Sequence, residues 1–207
     1  MPRKPASPQF DALQALKERA FELFGRYGYD GVSIADLAQA TGLSKGALYW
    51  HYSGKQALYL DCLKQLHALF EHYIFGPMKA QDDPGRAILT MFEGLERLSH
   101  DPRVEKGIAG YWLVPSGPET APFAAEQRAF ERASMQVIAT VLERGVRQGR
   151  FDLAGDLEDF ARAVILLVEV AVLPLRHQSP QDVRRVLGVL ARTLFRAYAR
   201  ESVPPSS

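Results

Sequence analysis

Along most of this chain apolar residues recur at steps of three and four, the spacing of one helix face. The first run is Phe10, Leu13, Leu16, Ala20, Leu23, Phe24 and Tyr27, with Gly28 placed to end it. After the turn at residues 29–32, Ser33 reads as an N-cap with Asp36 three residues on, opening a brief helix from Ile34 to about Ala40. Thr41-Gly42-Leu43 breaks it, because Gly42 can take a positive φ, and Ser44 caps a second short helix to about His51. Ser53 with Gln56 repeats the capping pattern and starts a long helix toward Phe75, which Gly76-Pro77 should end.

The punctuation recurs downstream. Asp83-Pro84, Asp101-Pro102 and Ser179-Pro180 each set a capping side chain before a proline suited to the first helical position. They predict helices over about 84–100, 102–114 and 180–200. Pro115-Ser116-Gly117-Pro118 reads as a loop. A long helix follows from about Glu119 to Gln148, stopped by Gly149, and another from about Asp156 to Leu173, where Pro174 disturbs the pattern. No stretch alternates with the period of a strand, so the fold class is all-α.

The charges balance: 25 Lys+Arg against 24 Asp+Glu, a formal net charge of +1 over 207 residues. Any affinity for nucleic acid must therefore come from a local patch. The single Cys62 removes intrachain disulfides and multi-cysteine metal clusters, which fits a reducing, cytoplasmic setting. No apolar run approaches the ~20 residues of a membrane span, and no apolar stretch follows Arg3 and Lys4 as in a secretory signal.

Two short helices separated by a three-residue turn with a central glycine form a helix–turn–helix over residues 33–52. Ile34, Leu37, Ala38, Leu43 and Leu48 supply its small core. The second helix, roughly 12 Å long at 1.5 Å per residue, matches the ~12 Å width of the DNA major groove. Its outward face carries Lys45, Gly46, Ala47, Tyr49 and His51. Lys45 can donate to phosphate or guanine. Gly46 and Ala47 keep the leading end slim, and Ala47 offers a methyl to thymine. Tyr49 and His51 can donate to phosphate, as can Lys55 one turn further on. A core role is preferred for Trp50 and Tyr52, and DNA contact for Tyr49.

The stretch from Tyr27 to Leu58 resembles the DNA-binding signature of TetR-family transcriptional regulators. Its most specific part is Leu48-Tyr49-Trp50-His51-Tyr52 followed by Gly54-Lys55-Gln56-Ala57-Leu58. The resemblance covers about the first 60 residues without a gap; the remainder matches only as an all-helical region of suitable length. Between a proline-rich, flexible arm (1–9) and a tail (202–207) read from composition, it implies an N-terminal three-helix helix–turn–helix DNA-binding domain (10–56) and a helical effector-binding and dimerisation domain (57–201). It also implies a homodimeric, usually repressing regulator that binds a palindromic operator and is released by a small effector. By position Ser33, Ser44, Lys45, Ala47, Tyr49, His51 and Lys55 fall on the family's DNA-contact positions. One departure is Ala35 and Asp36, which leave the leading turn of the first motif helix without a basic residue and tell against base readout there. Arg3 and Lys4 could contact DNA instead, although a solvated arm is the plainer reading.

The helix over 156–173 is apolar almost all round, and the last helix carries two apolar faces. Both patterns ask for burial against a second subunit as well as the chain's own core. Val164, Val168, Gly188, Ala191 and Phe195 are the expected dimer contacts. A mostly apolar effector pocket would draw on Phe70, Tyr73, Met91, Phe92, Tyr111, Trp112, Phe130 and Met135, although such residues on helices are more often core. Glu169 interrupts an apolar run, so it must be paired, protonated or facing a ligand; an ion pair with an arginine is the simplest account. His67 and Glu71 at i, i+4 are half a metal site, and no H-E-x-x-H, C-x-x-C or glycine-rich phosphate loop occurs. The expectation is a regulator with no catalytic residues, no metal and no cofactor. The rival readings are a protein-binding adaptor with a retired motif, which should have lost Lys45, Tyr49, His51 and Lys55, and a small helical enzyme, which should show convergent titratable groups in its C-terminal half.

Overall fold

The computed structural model describes residues 8–153, 157–175 and 177–198. The arm residues Arg3 and Lys4 and the Phe195 side chain lie outside the described residues. Ten α-helices and no strand are present among them. In order they are α1 Pro8–Tyr27, α2 Ile34–Thr41, α3 Lys45–His51, α4 Lys55–Phe70, α5 Gly76–Lys79, α6 Pro84–Ser99, α7 Pro102–Glu105, α8 Ala121–Arg147, α9 Leu157–Leu175 and α10 Pro180–Tyr198. No helix among the described residues is long and apolar enough to cross a membrane.

The chain forms two compact units. Of the described residues, 8–67 with 102–127 make the first, and 68–101 with those from 128 onward the second. The division falls inside α4 and inside α8.

In the first unit α1 buries Leu16, Ala20, Phe21 and Phe24. Phe21 joins this face outside the predicted spacing, while Tyr27 is 59% exposed. Segment 102–127 lies against α1. Here the predicted helix over 102–114 is corrected: α7 stops at Glu105, Gly107 turns at φ +118°, and a 3-10 turn spans Ala109–Trp112. Close approach explains the break. A Cβ on Gly110 would sit 2.2 Å from the Phe24 carbonyl oxygen, and one on Gly25 2.2 Å from that of Gly107. Arg26 Nε donates to the Lys106 carbonyl at 3.1 Å, Lys106 pairs with Glu22 at 3.4 Å, and the Tyr111 hydroxyl donates to the Phe21 carbonyl at 3.0 Å. Between α1, α4 and the start of α8, the rings of Phe24, Tyr29, Tyr59, Tyr111 and Phe123 stack edge-on or tilted at 4.5–5.6 Å.

In the second unit α6 is the hub, with α5, α9, α10 and the turn at residues 71–75 packed on it. Asp83 caps α6 by accepting from the Arg86 N–H at 2.7 Å. Gly94 is required where α6 meets the Tyr73 carbonyl, which a Cβ would approach to 2.2 Å. Contrary to expectation, Gly76-Pro77 does not end the preceding helix. Residues 71–75 form a π-turn, the Gly76 N–H reaches back to Glu71, and helical geometry continues to Lys79. The wider turn relieves the proline ring of the usual clash one turn back. Ser179 caps α10 as predicted, accepting from the Asp182 N–H at 3.2 Å.

Candidate nucleic-acid interface

Local chemistry builds the two-helix motif. The Ser33 hydroxyl accepts from the Asp36 N–H at 3.1 Å, and the Ser33 N–H donates back to the Asp36 carboxylate at 2.8 Å, a complete capping box for α2. The bonds from Ser33 hold the Asp36 carboxyl below its ordinary pKa. An anion therefore stands on the leading turn of α2, as the sequence departure implies, and would repel phosphate there. Gly42 ends α2 at φ +68°, and Ser44 caps α3 by accepting from the Ala47 N–H at 3.1 Å. Ser33 and Ser44 are both exposed, with their hydroxyls engaged as caps. Leu37 and Leu48 are buried between the helices, and Ile34, Ala38 and Leu43 are half-buried.

Around α3 each residue turns about 100°. Starting from buried Leu48, the opposite side falls at Gly46 and Trp50, with Tyr49 and then Lys45 round one edge. Lys45, Gly46, Tyr49 and Trp50 are all exposed, and Ala47 and His51, on the other flank of the helix, are half-buried. The structure thus gathers Lys45, Gly46 and Tyr49 on one open face. A core role for Trp50 is corrected: it is 73% exposed, its ring edge-on to that of His51 at 4.7 Å. The signal that would have found it is the count around the helix from Leu48.

Tyr52 does turn inward. Its hydroxyl donates to Asp61 at 2.5 Å, and Asp61 also pairs with Lys17 at 3.0 Å, tying α1, α3 and α4 together. Burial works against the Asp61 carboxylate, but the bonds from Tyr52 and Lys17 outweigh it and keep the pKa low. Lys55 is half-buried: its ammonium donates to the Tyr29 carbonyl at 3.0 Å and lies 4.0 Å from the centre of the Tyr29 ring. The expected capping pair of Ser53 and Gln56 is replaced. The Gln56 amide donates to the Glu119 carbonyl, and Gly54 precedes the helix.

The predicted pocket residues are divided between the units. Tyr111 is buried in the aromatic stack of the first unit, and Trp112 beside it is half-buried. In the second unit Phe70, Met91 and Phe92 are core, Phe130 packs against both Phe70 and Phe75 at 5.9 Å, and Met135 is half-buried. The Tyr73 hydroxyl donates to buried Asp101 at 3.0 Å. Glu169 is half-buried without an arginine partner among the described residues. Burial, then the nearby charge of Glu131, pushes its carboxyl up to about 7. His67 faces Glu126 at 3.3 Å, and Glu71 pairs with Lys79.

The structure turns Val164, Val168 and Ala191, three of the expected dimer contacts, inward. They are buried within the chain, and Gly188 is half-buried. The apolar positions that reach the surface are Leu166 and Val170 on α9 and Val186 and Val189 on α10. An all-round apolar helix such as α9 spends one stripe on its own core, and periodicity does not say which.

Residues 16–62 match the model for bacterial regulatory proteins of the tetR family. The HTH-type transcriptional regulator SrpR of Pseudomonas putida is 31% identical over 162 residues, covering 76% of this chain and 72% of that protein. The transcriptional regulator YezE of Bacillus subtilis is 33% identical over 131 residues, 62% of this chain; the match spans 65% of YezE, just under two thirds of its length. Among solved structures, NalD of Pseudomonas aeruginosa, described as the secondary repressor of the MexAB-OprM multidrug efflux pump, aligns with TM-score 0.72 and 20% identity over 95% of this chain and all of that one. SmeT in complex with triclosan aligns with TM-score 0.70 and 20% identity over 95% and 96%.

Proposed function

The chain belongs to the tetR family of bacterial regulatory proteins, and we propose that it acts as a homodimeric repressor released from a palindromic operator by a small, mostly apolar effector. It is a helix–turn–helix transcriptional regulator and not an enzyme. Residues 10–56 are the reading part and 57–201 the effector-binding and dimerising part. The observation that carries this is the open face of α3, where Lys45, Gly46 and Tyr49 are turned outward by a doubly capped motif anchored on Leu37 and Leu48.

Lys45 and Tyr49 contact the DNA backbone or base edges, and Gly46 lets the helix approach. Ser33, Ser44, Ala47, His51 and Lys55 stand at its rim. The Lys45 ammonium attracts phosphate. Leu166, Val170, Val186 and Val189 form the surface that a second copy covers, so two heads reach half-sites one helical turn apart, roughly 34–36 Å or a multiple of it. The triclosan complex of SmeT supports an apolar effector, and the repressor role of NalD supports repression. Effector binding favours a head spacing different from the one DNA needs, so the two compete.

Selection of bound sequences from random DNA with the purified protein tests the reading. A palindromic site whose affinity falls steeply with salt is the expected result. No enrichment, or enrichment of an unpaired half-site, overturns it.

A further inference from the structure

We propose that Trp50 reads a thymine C5-methyl in each half-site and is the apolar specificity residue of α3. This rests on the DNA-binding reading above and adds to it the base feature recognised.

Trp50 is 73% exposed on a seven-residue helix whose buried residue is Leu48. At about 100° per residue it lies nearly diametrically opposite that anchor, next to Gly46 on the outward side of the helix. Gly46, one turn earlier on the same stripe, is bare: a Cβ there would meet only the Ser44 hydroxyl, at 3.8 Å. The leading end of the helix can therefore come close to the base edges, and the indole follows about 6 Å behind, close to two base-pair steps. The ring rests edge-on against His51 at 4.7 Å.

Chemistry selects the occupant. Indole is a flat apolar plate with a single N–H donor. On the reading above the phosphates fall to Lys45, and the polar edges of guanine and adenine call for paired donors and acceptors that Trp50 lacks. The one apolar feature of the major groove is the thymine methyl. Ala47, the other apolar candidate on α3, is half-buried and carries only a single methyl.

The test uses the duplex that the full-length protein selects from random DNA, resynthesised with deoxyuridine in place of one thymidine of each half-site at a time. This removes only the methyl. Wild-type protein should lose about fourfold in affinity per half-site at one position, the share of a single buried carbon. The Trp50→Ala variant should bind more weakly and no longer distinguish the two duplexes, and Trp50→Phe should retain part of the distinction. Indifference of the wild-type protein to every deoxyuridine overturns the proposal, as does a Trp50→Ala variant that still senses the methyl. In both cases the protein still binds the selected duplex, so the DNA-binding reading survives. Failure to select any duplex would instead overturn that reading, and this inference with it.

Discussion

Helices α3 and α6 divide the work of the molecule between them. α3 has seven residues and buries Leu48; α6 has sixteen and buries ten. The first is held mainly by caps at its ends and one apolar anchor, and nearly everything else on it is offered outward. The second is a hub onto which α5, α9 and α10 pack. Reading and standing are therefore separable: substitutions on α3 should change what is bound without unfolding the chain, and substitutions on α6 should do the reverse. The largest effect is expected from Leu95→Ala, which empties a fully buried site on α6 and should cost about 2–5 kcal/mol in urea unfolding. A loss below about 1 kcal/mol would show that α6 is not the hub its packing makes it.

The underside of the reading head sharpens the contrast. Gly110 meets the Phe24 carbonyl so closely that the Gly110→Ala methyl would lie 2.2 Å from it. Backbone atoms must move to make room, so a loss of about 1–3 kcal/mol is expected. Because α1 carries the motif, operator affinity should fall together with stability. Unchanged unfolding in this variant would mean that segment 102–127 is not locked to α1.

The opposite outcome belongs to α3. Tyr49→Ala and Lys45→Ala should leave urea unfolding within about 0.5 kcal/mol of wild type, because both side chains are exposed. Operator affinity should drop about tenfold for Tyr49→Ala, and Lys45→Ala should lower the slope of log affinity against log salt by about 1. A variant that unfolds earlier but binds as before would invert the comparison and remove α3 as the reading helix.

Features governed by neighbours in sequence were legible before any coordinates. Ser33, Ser44, Asp83 and Ser179 cap the helices assigned to them, because a cap is a bond between residues three apart. The open face of α3 was legible in Lys45, Gly46 and Tyr49, but Trp50 was not, since an aromatic beside a motif core suggests burial until positions are counted from Leu48. Features set by distant packing were hidden. Gly107 and Gly110 read as ordinary helix positions until Gly25 and Phe24 stand against them. Val164 and Val168 were as apolar as Leu166 and Val170, and only the packing on α6 decides which pair is left outside. The π-turn at 71–75 has no local signature that overrides Gly76-Pro77.

Glu169 carries the smallest of these effects and the one most specific to the second unit. An arginine partner would lower its pKa; instead burial and then Glu131 push it up to about 7 from an ordinary 4.5. Through that window the folded chain keeps a proton that the unfolded chain has released, so stability falls as pH rises from about 4.5 to about 7 and the penalty is complete above it. The side chain is partly open to solvent, and screening reduces the expected loss to ~1 kcal/mol. Glu169→Gln keeps the shape and removes the titration. The difference in urea midpoint between about pH 5 and about pH 8 should therefore shrink in the variant, with the gain appearing at the higher pH. An identical pH dependence in both proteins would mean that Glu169 is ionised at neutral pH and has found a cation after all, returning it to the ion pair that its place in an apolar run first suggested.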